Sequence, residues 1–136
     1  MFPRTILFLA SGLFALLLQA QDAVNFNSLP PLAFKEALAA SKGLLLDVRT
    51  PEECNEGILA GAIVLDYSAP GFMEGIKKLD RDRPVYLYCA SGGRSRQTMT
   101  RMKGLGFKEV HDLEGGIGAW TAAGQPVVKE GSGSKR

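Results

Sequence analysis

Between residues 84 and 103 the chain runs from an apolar segment through a cysteine, paired glycines and an arginine into a helix-forming segment, and few folds accept that order. Pro84-Val85-Tyr86-Leu87-Tyr88 has no polar alternation and reads as a buried strand. Gln97 to Lys103 predicts a helix with Met99 and Met102 on one face. Cys89 therefore stands where a strand ends, a glycine-bearing loop turns and a helix begins. Unpaired N–H groups of such a loop and first helical turn point at the sulfur, and the helix dipole adds positive potential. Both favour thiolate over thiol: cysteines so placed titrate at roughly 3.5–7.5, against an unperturbed ~8.5. Gly92 and Gly93 allow backbone angles and approaches that a side chain blocks. Arg94 brings a permanent charge and a planar fork shaped for oxyanions. The run predicts a nucleophilic Cys89 in an anion cradle formed by Ala90, Ser91, Gly92, Gly93, Arg94 and Ser95. Ser91 and Ser95 are candidate donors to a bound anion, with helix capping as the alternative role of Ser95.

On either side of this run, strand and helix signals alternate. Ala23 to Asn27 reads as a first strand; Pro30 or Pro31 opens a helix that continues to about Ser41 and is closed by Gly43. Leu44 to Val48 is an unbroken apolar run, hence a strand buried on both faces. Glu52 to Glu56 predicts a short helix, Ala62 to Leu65 a strand and Phe72 to Leu79 a helix. Lys108 to His111 forms the last strand and Ile117 to Ala122 the last helix. Such alternation builds an α/β architecture, a parallel sheet of about five strands with helices on both faces. Sites in these sheets lie beyond the carboxyl ends of the strands. Cys89 is at such an end, as are Arg49 and the Glu114-Gly115 turn. Asp47 and Arg49 are supporting candidates, acting on the active-site loop or on their own turn.

Four motifs occur in order along this framework. They are Leu44-Leu45-Leu46-Asp47-Val48-Arg49-Thr50-Pro51-Glu52-Glu53, Glu56-Gly57-Ile58-Leu59-Ala60-Gly61-Ala62, the Cys89 loop, and Leu113-Glu114-Gly115-Gly116-Ile117-Gly118-Ala119-Trp120 with Gly124-Gln125-Pro126-Val127. Together they resemble the rhodanese family, over a stretch from Phe26 to Val128. The resemblance implies a rhodanese-like fold and sulfur transfer through a Cys89 persulfide. Cys89 to Arg94 matches the six-residue loop of the family's sulfurtransferases. Related phosphatases and arsenate reductases use a loop one residue longer, which encloses a tetrahedral oxyanion better. The implied donor is a small sulfur-containing anion such as thiosulfate, polysulfide or a persulfide. The implied acceptor is cyanide or a thiol, a protein thiol included, and no cofactor is implied. A second expectation, of a different class, is an exported persulfide-carrying or redox-responsive module with little turnover of its own. Ile58 stands where many relatives carry histidine, and Ala60 where proline is frequent; neither change touches the loop.

A chain of 136 residues with 46% apolar content supports one core and one domain. Its net charge of +2 excludes the strong field expected of a nucleic-acid binder. No heptad pattern calls for more than a monomer. Residues 1–20 follow the plan of a secretory signal: Arg4, an uncharged apolar run from Ile6 to Leu18, and a small residue, Ala20, at the cleavage point. That run is shorter than the ~20 residues needed to span a bilayer, although a retained N-terminal membrane anchor is the alternative. The expected organisation is a signal over 1–20, a domain over 21–128 and a polar tail over 129–136, exported to a bacterial periplasm. Export raises the question of a Cys54–Cys89 disulfide, against the simpler role of Cys54 as a small buried apolar residue. One histidine and two distant cysteines offer no metal site. His111 is left outside the site, because a thiolate in a cradle needs no base. Arg96, Arg101 and Lys103 read as a solvated helix face, Met99 and Met102 as core, and Trp120 as packing for the last helix.

Overall fold

The computed structural model describes residues 23–129; the expected signal segment 1–20, and the tail from 130 onward, lie outside the described residues. In chain order the elements are β1 (Asn25–Leu29), α1 (Pro31–Ala40), β2 (Leu44–Asp47), α2 (Pro51–Cys54), β3 (Ile63–Val64), α3 (Phe72–Lys77), β4 (Val85–Tyr88), α4 (Gly93–Gly104), β5 (Glu109–Leu113) and α5 (Gly116–Ala122). The five strands form one sheet in the order β1-β5-β4-β2-β3, and every pairing is parallel. Among the described residues no helix is long and apolar enough to cross a membrane.

Side chains of a strand alternate between the two faces of a sheet, so the apolar runs fill two cores. Leu46, Val48, Val85, Leu87, Cys89 and Val110 face Phe72 and Ile76 of α3 and Met102 of α4. Leu45, Tyr86, Tyr88 and Leu113 face Phe34 of α1 and Trp120 of α5. Helices thus cover both faces. Each large apolar side chain taken out of water contributes about 1.5–3 kcal/mol. Aromatic edges add direction to the second core: Phe34 meets Tyr86 edge-on at 5.5 Å and Trp120 at 6.5 Å. The Trp120 Nε1–H donates to the Pro126 carbonyl at 2.9 Å, which fixes the segment after α5.

Several boundaries differ from the sequence expectation for physical reasons. Helix α4 begins at Gly93 and not at Gln97, because Gly92 takes a left-handed φ of 106° and the loop winds straight into the helix. Ser95 is accordingly not the cap; it lies buried in the first turn. Gly43 does not close α1 either. The helix ends at Ala40 with Ser41 as its cap, and a Cβ at Gly43 would lie 2.6 Å from the Tyr86 ring. The glycine makes room for an aromatic ring. Ile58, the departure from many relatives, is held by a reciprocal backbone pair, its N–H to Val128 O at 2.9 Å and the Val128 N–H to Ile58 O at 2.8 Å.

The order of strands fixes where a site forms. From β2 the chain moves outward to β3 on one side, whereas from β4 it moves to β5 on the other. The carboxyl ends of β2 and β4 therefore part company, and a crevice opens there. Arg49 follows β2 and Cys89 follows β4 at this point. The β5–α5 turn closes against it: Ile117 N–H donates to Cys89 O at 2.9 Å and Gly118 N–H to Ala90 O at 3.2 Å. Contact this close demands glycine. A Cβ at Gly116, where φ is +63°, would lie 2.5 Å from the carbonyl oxygens of both Cys89 and Ala90. Gly116→Ala is expected to lower stability by about 3 kcal/mol through strain and overpacking. Gly118→Ala, whose Cβ would lie 3.5 Å from Ala90 O, should stay within about 1 kcal/mol of the parent. Urea midpoints of the two variants check the contrast; equal midpoints would show that the turn yields.

Candidate active site

Cys89 is the first residue past β4 and is 1% exposed. Its sulfur lies 3.1 Å from the Gly92 nitrogen, whose N–H donates to it, and 3.6 Å from Ser95 Oγ. Burial is the largest single influence on the thiol and pushes its pKa up. The N–H and hydroxyl of Ser95, with the N–H groups of Gly92 and Ser91, together outweigh it, and the thiol titrates below its ordinary value. The cause is local. A helix leaves its first N–H groups without intrahelical partners, and the left-handed Gly92 turns those of the loop and first turn onto one atom. Of the other loop residues, Ala90 and Arg94 are half-buried, whereas Ser91 and Gly93 are exposed.

Arg94 departs from the expected free fork. Its Nη1 and Nη2 donate to Glu53 Oε1 and Oε2 at 2.7 and 2.8 Å, a bidentate ion pair. This pair, opposed by burial and helped by the nearby Cys89 sulfur, holds the Arg94 pKa above its ordinary value. Glu53 is in turn fixed by a capping box: Thr50 Oγ1 accepts from the Glu53 N–H, and Glu53 Oε1 accepts from the Thr50 N–H at 3.2 Å. The Arg94 hydrogen bonds, against the opposing effect of burial, hold the Glu53 carboxyl down to about 2.

Asp47 and Arg49 come together as a buried pair, with Arg49 Nη2 2.6 Å from Asp47 Oδ2. Arg49 Nε also donates to both Asp47 oxygens, at 2.9 and 3.1 Å. The remaining donors reach the Glu53 carbonyl at 3.2 Å and the Gly57 carbonyl at 2.7 Å. Burial alone would lower the Arg49 pKa, but the Asp47 carboxylate keeps it raised. The pair thus serves its own turn, and through Glu53 it sets the seat of Arg94. Behind it, Tyr88 Oη accepts from the Leu59 N–H at 3.0 Å, and burial pushes its phenol pKa well up.

An open cleft of about 400 Å³ lies over the loop, lined by Arg49, Glu52, Glu53, Glu56, Ala90 and Ile117. Glu53 was not among the residues singled out from the sequence, although Thr50-x-x-Glu53 carries the capping-box signature. Asp112 was missed too. It lies on β5, fully buried, with Oδ2 3.2 Å from Ser95 Oγ. No spacing in the sequence signals that contact. Cys54 is fully buried, and no disulfide joins it to Cys89. His111 stacks on Tyr86 at 5.0 Å between ring centres and bonds Glu109 at 2.8 Å, on the sheet face opposite the cysteine. Met102 is fully buried in the core, with Met99 packed against it. Among the described residues no group of three or more His, Cys, Asp or Glu side chains could hold a metal ion.

A parallel α/β sheet with a lowered-pKa cysteine in a ring of backbone donors defines a class of protein built for thiolate chemistry with anions. Comparison with known proteins narrows that class. The family model for the rhodanese-like domain matches residues 31–123, and the chain belongs to that family. A sulfurtransferase of Allochromatium vinosum is 36% identical over 104 residues, covering 75% of this chain and 94% of the other. The thiosulfate sulfurtransferase GlpE of Pseudomonas putida is 28% identical over 109 residues, covering 79% and 96%. The probable adenylyltransferase/sulfurtransferase MoeZ of Mycobacterium tuberculosis is 34% identical over 108 residues, and the match spans only 28% of that longer protein. Among solved structures, a rhodanese-related protein of Thermoplasma volcanium superposes with a TM-score of 0.68 at 35% identity, covering 76% of this chain and 99% of that one.

The Glu53–Arg94 pair gives stability a definite pH dependence. A carboxyl depressed from 4.5 to about 2 contributes stability that is fully present above the ordinary value and fades as pH falls toward the lower one. Both side chains are about one-third exposed, at 32% and 31%, so solvent screening keeps the contribution modest. Glu53→Gln retains the cap geometry and loses the charge. Urea midpoints should converge between variant and parent as pH drops from 4.5 toward 2 and differ above it; a constant gap would refute the linkage.

Proposed function

We propose that this protein is a sulfurtransferase that moves a sulfane sulfur from thiosulfate, polysulfide or a persulfide to cyanide or a thiol through a persulfide on Cys89. The observation that carries the reading is the Cys89 sulfur, held at lowered pKa by converging N–H and O–H donors. With thiosulfate, the Cys89 thiolate attacks the outer sulfur, the S–S bond of the donor breaks, and sulfite leaves with the bonding pair. Cyanide then attacks the terminal sulfur of the persulfide, thiocyanate departs, and the thiolate is restored. Each step conserves charge, and every state puts negative charge beside the same donors, which need not reorganise. Covalent capture divides one transfer into two easier ones. The six residues from Cys89 to Arg94 favour this chemistry over that of a larger tetrahedral oxyanion. Arg94 receives the anionic part of the donor by exchanging or sharing its bond to Glu53. Residues 1–20 act as a cleaved signal that delivers the domain outside the cytoplasm, most simply to a periplasm.

Intact mass of the reduced protein after thiosulfate, and separately after polysulfide, tests the reading. One added sulfur on Cys89, discharged as thiocyanate on addition of cyanide, is the expected result. Cys89→Ser should take up none; uptake by that variant would sink the assignment. A sulfur that cyanide fails to remove would instead identify a carrier. Arg94→Ala should raise the KM for thiosulfate about tenfold or more, the value of one or two charge-assisted hydrogen bonds.

A further inference from the structure

One buried carboxylate takes no part in the two steps above. Asp112 lies on β5 with its side chain on the α4 face of the sheet, and it is 0% exposed. Among the described residues no lysine, arginine or histidine forms an ion pair with it. Its bonds come from two hydroxyls: Ser28 of β1 at Oδ1, and Ser95 of α4 at Oδ2, 3.2 Å away. A carboxyl buried without a cation is costly. Here it sits one side chain away from Cys89.

A serine hydroxyl has one proton to give. Ser95 Oγ has three acceptors in range: Gly92 O at 3.2 Å, Asp112 Oδ2 at 3.2 Å and Cys89 Sγ at 3.6 Å. The carboxyl oxygen and the sulfur are both within hydrogen-bond reach, the sulfur distance being longer because its radius is larger, so Asp112 and Cys89 compete for the one proton. We propose that Asp112 is a positioning residue for Cys89, acting through the Ser95 hydroxyl, for whose proton it competes with the sulfur. The proposal rests on Cys89 being the nucleophile of the reading above. Its consequence is chemical. A sulfur gripped by every available donor is mostly thiolate but a sluggish one, since nucleophilicity falls with basicity, and the best attacking thiol titrates near the ambient pH. Asp112 loosens that grip. The Ser95 proton is redirected within a hydrogen bond, and no net proton is transferred.

Arg96 of α4 folds back over the loop, its Nη2 3.4 Å from where a Cβ on Gly92 would stand. Arg94 of α4 is engaged by Glu53 of α2, and β1 offers only the Ser28 hydroxyl opposite Asp112. Tyr86 and Tyr88 of β4 belong to the core on the other face, where His111 of β5 stacks on Tyr86. Lys103, toward the far end of α4, lies over the Phe26 ring.

The test is the rate of Cys89 alkylation by uncharged iodoacetamide as a function of pH. Asp112→Asn keeps the shape, exchanges one acceptor oxygen for an amide donor and frees the Ser95 proton for the sulfur. Its midpoint should fall, and the profile should cross that of the parent. With a Brønsted slope of about 0.4–0.5, a midpoint one unit lower gives about threefold faster alkylation at low pH and an about threefold slower plateau. Adding Ser95→Ala to Asp112→Asn should cancel the fall. Ser28→Ala, at an exposed position, should shift the midpoint the other way by leaving Asp112 to pull harder on Ser95. A midpoint unmoved or raised by Asp112→Asn, or moved down by Ser28→Ala, would overturn the proposal. Alkylation needs no sulfur donor. A parent protein that takes up no sulfur therefore counts against the transferase reading, while the profiles still decide the role of Asp112.

Discussion

The Cys89 sulfur is the acceptor on which the active edge of this fold depends. Helix α4 starts with N–H groups that no carbonyl within the helix can satisfy, and the left-handed turn at Gly92 points them inward. Burial forbids water as their partner, so the sulfur takes that place, and it does so better as an anion. Helix start and thiolate therefore stabilise each other: the loop shape favours the charged sulfur, and the charged sulfur favours the loop shape. Two carbonyls of the same loop, those of Cys89 and Ala90, are satisfied by the first turn of α5. The backbone of the segment is thus engaged on both sides, its N–H groups by the sulfur and its carbonyls by α5.

A relay of ion pairs then ties the loop to the neighbouring strand end. Asp47 fixes Arg49, Arg49 fixes the carbonyls of Glu53 in α2 and of Gly57 beyond it, and Glu53 fixes Arg94. Its inner member is buried and its outer member is partly solvated. Rigidity is therefore greatest at Asp47 and Arg49. At Arg94 the contact is screened enough to be exchanged.

Most of the architecture was legible in the sequence, since parallel strands buried on both faces leave unbroken apolar runs such as Leu44 to Val48 and Val85 to Tyr88. The cysteine, the glycines and the position of the loop followed from the same pattern. What could not be read was contact between distant elements. The capping box at Thr50 and Glu53 is a local signature, but nothing in the spacing says that Glu53 meets Arg94. Asp112 and Ser95 meet only because β5 lies beside β4 in the sheet. The start of α4 was misplaced because a left-handed glycine cap carries no Ser, Thr, Asp or Asn signal. Gly43 looked like a helix stop and proved to be a clearance for Tyr86.

All five strands run the same way, and this gives the domain a polarity that matters for anything joined to it. The chain enters β1 at Asn25, at the amino pole of the sheet, and Cys89 opens at the opposite pole. Past α5 it returns to pair Val128 with Ile58, a few residues from Glu53 and Glu56 at the cleft wall. A tether on the entering side would hold the domain from beneath and leave the cleft facing outward. Polypeptide continuing past Lys129 would start at the rim of the cleft, where a short linker gives whatever it carries a high effective concentration at the cysteine.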